Sequence, residues 1–512
     1  MFLLATSSWD FAHHVWEITL IGLDVLLALV ASGHAVLYKR DSRSAIAWVG
    51  FIWLVPLAGA TLYFILGINR IRRQAVLLRR GLERYHAHET QPACPPEELH
   101  RHLPGHTGHL NLLARVVSGV VERPLLPGNR IEPLLNGEEA FPAMLEAIRQ
   151  ARQTVSFCTY IFDRDEAGLA FARALGEATR RGVEVRVLID AAGTRYSWPS
   201  ILRALRRERV RYARFLPSFA LWHLITMNLR THRKILVADG RVGFTGGMNI
   251  RVGHCLKGFG RDAFHSVPLE VRDAAESVPT RPRHRVQDIH FRVRGPVVTQ
   301  LQEVFADDWL FTTGESLRGE AWFPKQETAG PVLARGVPDG PDEDFEKLRW
   351  TLLGALAIAR YSVRIVTPYF LPDPALVSAL NLAAKRGVRV DIVLPAKNNL
   401  PFVGWASRAM WWQVLEHGCR IWLTPPPFDH AKLMLVDGCW CLLGSANWDP
   451  RSLRLNFEYN LECYDVDLAR RLEEVVAARL SNARLVTLQE VDARSLPTRL
   501  RDGVARLLTP YL

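Results

Sequence analysis

This 512-residue chain has no C-x-x-C pair among its seven cysteines, Cys94, Cys158, Cys255, Cys419, Cys439, Cys441 and Cys463. Scattered in this way they read as reduced, mostly buried thiols rather than a disulfide framework, which fits domains facing the cytosol. Basic residues are missing ahead of the first apolar stretch, and a second such stretch follows at once, so a cleaved signal peptide is not expected. Charge of either sign is missing from residues 45–68, a run long enough to cross a bilayer and rare in a soluble core. An acidic excess is missing too: 64 Lys and Arg stand against 52 Asp and Glu, for a net charge of +12 and a pI near 9.6. That balance suits an anionic surface, phospholipid or nucleic acid, and charge alone chooses neither. The length allows two or three domains with sizeable cores.

The first apolar stretch, residues 15–38, carries Glu17, Asp24 and His34. An Asp near a helix centre costs about 2.5–3.5 kcal/mol on an insertion scale, so this segment is expected to span poorly or to lie in the interface. The second, 45–68, is expected to span, with Trp48, Trp53 and Tyr63 as interfacial anchors and a kink rather than a break at Pro56. Lys39, Arg40 and Arg43 lie between the stretches, whereas Arg70, Arg72, Arg73, Arg79 and Arg80 follow the second, so the bias leans towards a cytosolic carboxy-terminal side. If both stretches span, the amino terminus lies on that side too.

Further on, one pattern occurs twice. Thr231-His232-Arg233-Lys234 leads through an apolar run to Asp239-Gly240 and then to Gly246-Gly247-Met248-Asn249. His430-Ala431-Lys432 leads likewise to Asp437-Gly438 and then to Gly444-Ser445-Ala446-Asn447, at a constant offset of 198 residues. Such a repeat sets the architecture. Each copy reads as a β-hairpin with an Asp-Gly turn, and His and Lys two apart on a strand share a face while the residue between them points the other way. Imidazole, ammonium and amide around a small-residue turn make a phosphate site that also carries a nucleophile and proton-transfer groups. No carboxylate or Cys cluster at metal-ligand spacing accompanies either copy, which favours chemistry without a metal.

These residues resemble the phospholipase D superfamily, whose H-x-K-x4-D signature they match twice. Thr367-Pro368-Tyr369-Phe370-Leu371-Pro372-Asp373, Gly295-Pro296-Val297 leading to Phe305 and Asp308-Trp309, and Asp449-Pro450-Arg451-Ser452 with Leu455-Asn456-Phe457-Glu458 narrow the resemblance to bacterial cardiolipin synthases. It covers nearly the whole chain, with two departures: a longer polar stretch at 253–285, and Gln287 where the family usually has Arg. The stretch is open to two readings, a lid or partner loop and a tolerated surface insertion.

The resemblance implies an α/β fold of two pseudo-symmetric phospholipase D-like sandwich lobes behind an amino-terminal transmembrane hairpin. The expected division is a membrane hairpin at 1–75, a linker at 76–108, lobe 1 at 109–311, a Gly- and Pro-rich connector at 312–341, lobe 2 at 342–490 and a tail at 491–512. Alternating β and α signals support it: strands near 155–161, 183–189, 363–367 and 388–394, and helices near 167–181, 344–359, 374–385 and 468–480. Residues 203–214 read as a basic helical face, solvated or in contact with lipid headgroups. Residues 215–227, and the segment with Trp405, Trp411 and Trp412, read either as lipid-facing surfaces or as core.

By the same resemblance His232, Lys234, Asp239, His430, Lys432 and Asp437 are the catalytic set, and Asn249, Asn447 and Ser445 bind the substrate phosphate. Asp288 and Glu458 orient the histidines. No cofactor and no metal is implied. His232 is expected to attack the phosphorus and form a phosphohistidine while His430 protonates the departing alcohol and then activates the incoming one. Asp239 and Asp437 sit at hairpin turns, where physical reasoning has them fix the turn rather than touch substrate. The implied reaction joins two phosphatidylglycerol molecules into cardiolipin and glycerol at a bacterial inner membrane, the chain being multi-pass with cytoplasmic lobes. Its implied partners are phospholipids, phosphatidylglycerol and as an alternative phosphatidylethanolamine, and not nucleic acid. A phospholipase D-type hydrolase, a phosphatidyltransferase with another alcohol, a nucleic-acid phosphodiesterase and a non-catalytic lipid-binding scaffold stay open as alternatives.

Overall fold

A computed structural model describes residues 2–39, 41–55, 57–67, 76, 79, 84–216, 229–258 and 285–509. It divides into two units, Met1–Gln74 and Ala75–Leu512. Arg70, Arg72, Arg73, Arg80, most of the apolar segment 215–227 and residues 259–284 of the polar stretch lie outside the described residues.

In the first unit the two apolar stretches differ from expectation in helix length. Residues 15–38 lie within one unbroken helix, Phe2–Tyr38. Its portion His13–Tyr38 is the one described helix long and apolar enough to cross a membrane. The described part of the second stretch forms a 13-residue helix, Ser42–Leu54, then a short helix, Ala58–Leu62, and a π turn, Tyr63–Gly67. A helix of 13 residues reaches only about 20 Å of a hydrocarbon core ~30 Å thick. The interruption exceeds the expected kink, although Pro56 itself lies outside the described residues.

The two departures have a common physical cause. Leu57 adopts φ 57° just after the break, and its N–H donates to Asp24 Oδ1 at 2.6 Å. The carboxylate that made the first stretch look costly therefore satisfies the backbone group that the second sets free. His34 Nδ1 meets the Tyr63 hydroxyl at 2.8 Å, and Trp53 Nε1 donates to Ser32 Oγ at 3.1 Å. Ala28, Ala31 and Ala35 pack with Ile52, Ala60 and Tyr63, small side chains that allow close helix approach.

The second unit is built on one large continuous sheet and a separate two-stranded ladder. Lobe 1 supplies β1 (Leu126–Leu135), β2 (Thr154–Thr159), β3 (Glu184–Asp190), β4 (Tyr212–Phe215), β5 (Arg230–Thr231), β6 (Ile235–Ala238), β7 (Val242–Gly246), β8 (Val286–Gln287) and β9 (Ile289–Arg294). Lobe 2 supplies β10 (Val332–Asp339), β11 (Ser362–Val366), β12 (Arg389–Pro395), β13 (Arg420–Thr424), β14 (Phe428–Asp429), β15 (Leu433–Val436), β16 (Trp440–Gly444), β17 (Asn456–Tyr464) and β18 (Arg484–Val486). The order is β18-β13-β12-β11-β15-β16-β17-β10-β1-β9-β7-β6-β2-β3-β4, with β8 and β14 forming the separate ladder. Read outward from the β10–β1 seam, the two halves repeat, each with an antiparallel hairpin inside and three parallel strands beyond it, and the second half adds β18 as an antiparallel edge.

The repeated helices form for local reasons. Glu166–Arg180 is capped by Asp165, whose carboxylate accepts from Gly168 N at 2.9 Å, and Pro374–Lys385 opens on Pro374 with Asp373 as its cap. Apolar side chains of the parallel strands and these helices make the cores of the lobes. A third cluster joins them through the middle of the sheet, running from Val293 and Trp309 to Leu443 and Leu461.

Several expectations change here. The connector 312–341 contains β10, buried along its whole length and paired with both β1 and β17. Its Arg335 is fully buried and binds Glu462 at 2.7–2.8 Å, so a charged residue that suggests a loop is a core ion pair. The basic face expected at 203–214 resolves into a helix, Leu202–Arg207, and β4. Of the linker 76–108, Arg79 and Arg84 reach into the core, where they bind Asp308, Asp342 and Asp344.

Both signature aspartates sit at hairpin turns in the left-handed region, at φ 50° for Asp239 and 52° for Asp437. Asp239 accepts from the N–H groups of Arg152, Gln153 and Thr154 at 2.7–3.1 Å. Asp437 does the same for Arg360, Tyr361 and Ser362 at 2.7–2.8 Å and also takes His109 Nε2 at 2.7 Å. In this geometry each carboxylate ties its hairpin to the start of the neighbouring strand, as the turn chemistry leads one to expect. Asp239→Ala should lower unfolding stability by about 2–4 kcal/mol, read as a fall in Tm, because three backbone donors lose a charged acceptor. The folded fraction should keep far more turnover than His232→Ala; a specific loss of kcat at unchanged Tm would contradict this.

Candidate active site

The short strand ahead of each repeated histidine pairs with the opposite lobe. β5 runs parallel to β17, and β14 runs parallel to β8. His232 N donates to Phe457 O and His430 N to Gln287 O, both at 2.8 Å. The next residue of each acceptor strand then presents a carboxylate to the ring. His232 Nδ1 lies 2.9 Å from both oxygens of Glu458, and His430 Nδ1 lies 2.8 Å from Asp288 Oδ2. Each histidine is therefore positioned by the other lobe's backbone and carboxylate. Because Gln287 acts here through its carbonyl, its departure from the family's usual Arg leaves the pairing intact.

A carboxylate accepts, so Nδ1 carries the proton in both rings and Nε2 is left for chemistry. Lys234 Nζ donates to His232 O at 2.6 Å, and Lys432 Nζ to His430 O, so each ammonium stays on its histidine's side of the strand. The residue between them points away, as the strand period requires: Arg233 is buried and binds Asp308 at 2.8 Å and Glu458 O at 3.0 Å. Its counterpart in the second copy, Ala431, lies in the central core.

The remaining expected residues divide. Asn249 and Asn447 are buried at the ends of the hairpins; Asn249 Oδ1 accepts from Ile161 N at 3.0 Å, and Asn447 Nδ2 donates to Ser452 Oγ at 3.2 Å. Ser445, expected at the phosphate, is fully buried and gives its hydroxyl to Glu458 at 2.5 Å. In this position the hydroxyl serves the carboxylate. Ser452 and Asn456 add donors to Glu458 at 2.8 and 3.2 Å. Asp288 is served less well: Ile289 N donates at 2.8 Å, and Gly247 stands where the second copy has Ser445, with no room for a side chain, since a Cβ there would lie 2.3 Å from the carboxylate.

Electrostatics follow this difference. Burial works against the charge on Glu458, yet His232, Lys234 and the Ser445 hydroxyl outweigh it and hold the carboxyl below its ordinary range. Burial raises the Asp288 carboxyl, and Lys432 offsets it only in part. Both imidazoles are pushed down, first by burial; His430 falls further because Lys432, Lys234 and His232 all repel its proton. Burial also draws Lys234 down to about 7 and Lys432 to about 8.

Sequence reading missed His254. It was assigned to the inserted stretch, but residues 253–258 belong to the lobe, and the His254 ring is buried 6.4 Å from that of His430. Tyr160 and Tyr369 also flank the site, with ring centroids 5.3 Å from His232 and 6.5 Å from His430. Ser452 and Asn456 were visible in the quoted motif without a role. Arg233 carried a signal in the repeat itself, a charge where the other copy has alanine. Among the described residues, one group of His and acid side chains has ligand atoms within 4.8 Å of one another, His86, His88 and Glu89, and none of these belongs to the site.

Known proteins resemble this chain. A family model described as "Cardiolipin synthase, PLD-like domain" matches residues 144–255 and 352–480, the two lobes with their hairpins. A second, "Phospholipase_D-nuclease N-terminal", matches residues 26–67. Cardiolipin synthase 1 of Bacillus anthracis is 29% identical over 523 residues, covering 100% of this chain and 96% of its own. A cardiolipin synthase of Staphylococcus aureus is 29% identical over 499 residues, covering 96% of each chain. The chain belongs to the bacterial cardiolipin synthases of the phospholipase D superfamily. It is thus a phosphatidyltransferase of that family. Among solved structures, a phosphatidylserine synthase of Haemophilus influenzae shares the fold, with a TM-score of 0.57 at 14% identity over 78% of this chain and all of that one.

For a cardiolipin synthase built this way, cutting one cross-lobe contact should disable the ring it holds. Glu458→Gln should lower kcat by about 10²–10⁴-fold with a much smaller change in KM, because the amide no longer fixes the tautomer of His232. A loss confined to KM would count against that role. In kcat/KM, activity should fall on the acid side, at a pH lower than an ordinary imidazole would give because burial depresses His232, and fall again above about pH 7–8 as Lys234 and Lys432 lose their protons. In kcat the alkaline limb should move up, since a bound phosphate favours the charged lysines; a flat profile between pH 6 and 9 would exclude the assignment.

Proposed function

We propose that the chain transfers a phosphatidyl group from one phosphatidylglycerol to another through a phosphohistidine, giving cardiolipin and glycerol. The observation carrying this reading is the pair of buried imidazoles, each oriented by a carboxylate of the opposite lobe and each accompanied by a lysine. His232 is the nucleophile, because Glu458 is the carboxylate with the fuller set of donors and keeps its charge. Its Nε2 attacks phosphorus and forms a P–N bond as the P–O bond to the departing glycerol breaks. His430 gives that oxygen its Nε2 proton. The terminal hydroxyl of a second phosphatidylglycerol then returns a proton to His430, and its oxygen displaces His232 from phosphorus.

His430 must be protonated at the first step although the free site disfavours it. The phosphodiester anion resolves this conflict: its charge between Lys234 and Lys432 offsets the repulsion that depresses His430. Asn249 and Asn447 complete the clamp on the nonbridging oxygens. The lobes face the cytosol, a reading supported by the basic residues after the second apolar stretch and by seven free, buried cysteines. The chain crosses the membrane more than once in this reading, with Asp24 and Leu57 neutralising each other's exposed polarity.

The test uses the full chain in sealed vesicles with labelled phosphatidylglycerol, with and without phosphatidylethanolamine. Cardiolipin and free glycerol should form, and turnover should fall at least about 10³-fold in both His232→Ala and His430→Ala, with acid-labile phosphoprotein trapped only where His232 is present. Phosphatidic acid as the sole product would replace transfer by hydrolysis, cardiolipin formed only with phosphatidylethanolamine would change the second lipid, and cleavage of nucleic acid without lipid turnover would overturn both. In the same vesicles, turned inside out, added trypsin should digest the lobes; protection would reverse the topology.

A further inference from the structure

The carboxy-terminal tail, silent in the sequence, folds into the helix Leu496–Leu507. Leu496, Leu500, Val504 and Leu507 are 67%, 60%, 61% and 75% exposed, and their spacing of four, four and three places them on one face. The helix cannot roll to hide them. Its opposite side is fixed by Asp502, fully buried and bound by Arg494 at 2.9 Å and Arg501 at 2.7 Å, and by the buried Ala505. Arg501 flanks the apolar stripe on one side, and Arg499 and Arg506 flank it on the other. Both of the latter are exposed, and neither has a carboxylate within ion-pair distance among the described residues.

We propose that this apolar face docks on an anionic lipid bilayer and sets the mouth of the active site at its surface. The proposal rests on the phospholipid reading above and adds where the substrates enter. An exposed apolar stripe bordered by arginines is the pattern of a helix lying in a membrane interface. A second copy of the chain fits less well, because a two-fold contact through this face would bring the unpaired arginines together. Continuity with the site supports the choice. The helix packs beside Pro401–Arg408, whose Phe402 is also exposed, and Ala505 shares a small core with Leu371 and Val403 that takes in Tyr369, the ring next to His430. Lobe 1 offers a matching edge: Tyr160 beside His232 meets Tyr196 at 6.2 Å, and Tyr196 and Trp198 are exposed. Tyr and Trp are the side chains that settle at headgroup level.

All seven native cysteines are buried, so Val504→Cys can be labelled selectively in the folded full chain with an environment-sensitive fluorophore. In phosphatidylglycerol vesicles the emission should shift to the blue and be quenched by a quencher in the acyl region. Emission typical of water would overturn the proposal, as would quenching that depends on protein density rather than lipid, which would assign the face to a second copy. Leu500→Glu with Leu507→Glu should lower turnover of vesicle-borne phosphatidylglycerol about tenfold or more while sparing a short-chain, monomeric phosphatidylglycerol. Equal loss on both substrates would mean a structural role and also overturn it. If the parent protein turns over neither lipid, the phospholipid reading fails, while the fluorescence result still decides the docking.

Discussion

Neither lobe of this protein holds its own histidine. The imidazole of each is fixed by a carboxylate from the other, Glu458 to His232 and Asp288 to His430, and the backbone beside each carboxylate also accepts the histidine N–H. This exchange makes the site a property of the interface between the lobes, so the interface must be rigid. A single sheet running through the β10–β1 seam supplies that rigidity, since strands cannot slip past one another without turning every side chain to the wrong face. Buried pairs such as Arg335 with Glu462 pin the register of β10 against β17.

The two halves nevertheless differ where chemistry divides. Glu458 sits among Ser445, Ser452 and Asn456, whose donors stabilise its charge, and a charged acceptor makes the ring it holds more basic. Asp288 is shorter and faces Gly247 and the neutral environment of His254, which burial holds down to about 3. Behind the first copy, Arg233 is anchored to Asp308, which Arg79 also binds. The second copy has only Ala431. A stiffer, better-supported ring on one side and a more easily modulated one on the other suit a nucleophile and a proton carrier in that order.

How much of this could be read from the residues depended on whether the cause was local. The two hairpins, their His-Lys faces and the flanking helices follow from periodicity and turn chemistry, and the helix Pro374–Lys385 appears where its cap and proline put it. The central strands did not stand out, because β10 and β17 are buried on both faces and carry Arg335, Asp339, Glu458 and Glu462, which break the apolar pattern. The pairings β5–β17 and β8–β14 join residues far apart in sequence, so no local signal marks them. Family resemblance supplied the partners of the histidines; it also carried Asp239 and Asp437 as catalytic, where the turn chemistry alone pointed to structure. Counting charges does not show how the two apolar segments meet, for a similar reason. Asp24 is expensive only when unpaired, and its partner is a backbone N–H that sequence patterns do not display.

In the proposed reaction, transfer rather than hydrolysis requires that an alcohol reach the phosphohistidine before water does. The residues at phosphorus do not discriminate between the two, because His430 can take a proton from either. Discrimination must then come from what surrounds the site. The polar machinery is buried, and that burial brings Lys234 and Lys432 down to about 7 and 8, so little of it is open to solvent. Its edges are aromatic, with Tyr160 and Tyr369 beside the two rings. An acceptor that arrives within a lipid leaflet is concentrated at such an edge and carries its hydroxyl on a headgroup that need not leave the interface. In that reaction the same burial that depresses the lysines favours the lipid alcohol, and the charge of a bound phosphodiester would hold the lysines protonated.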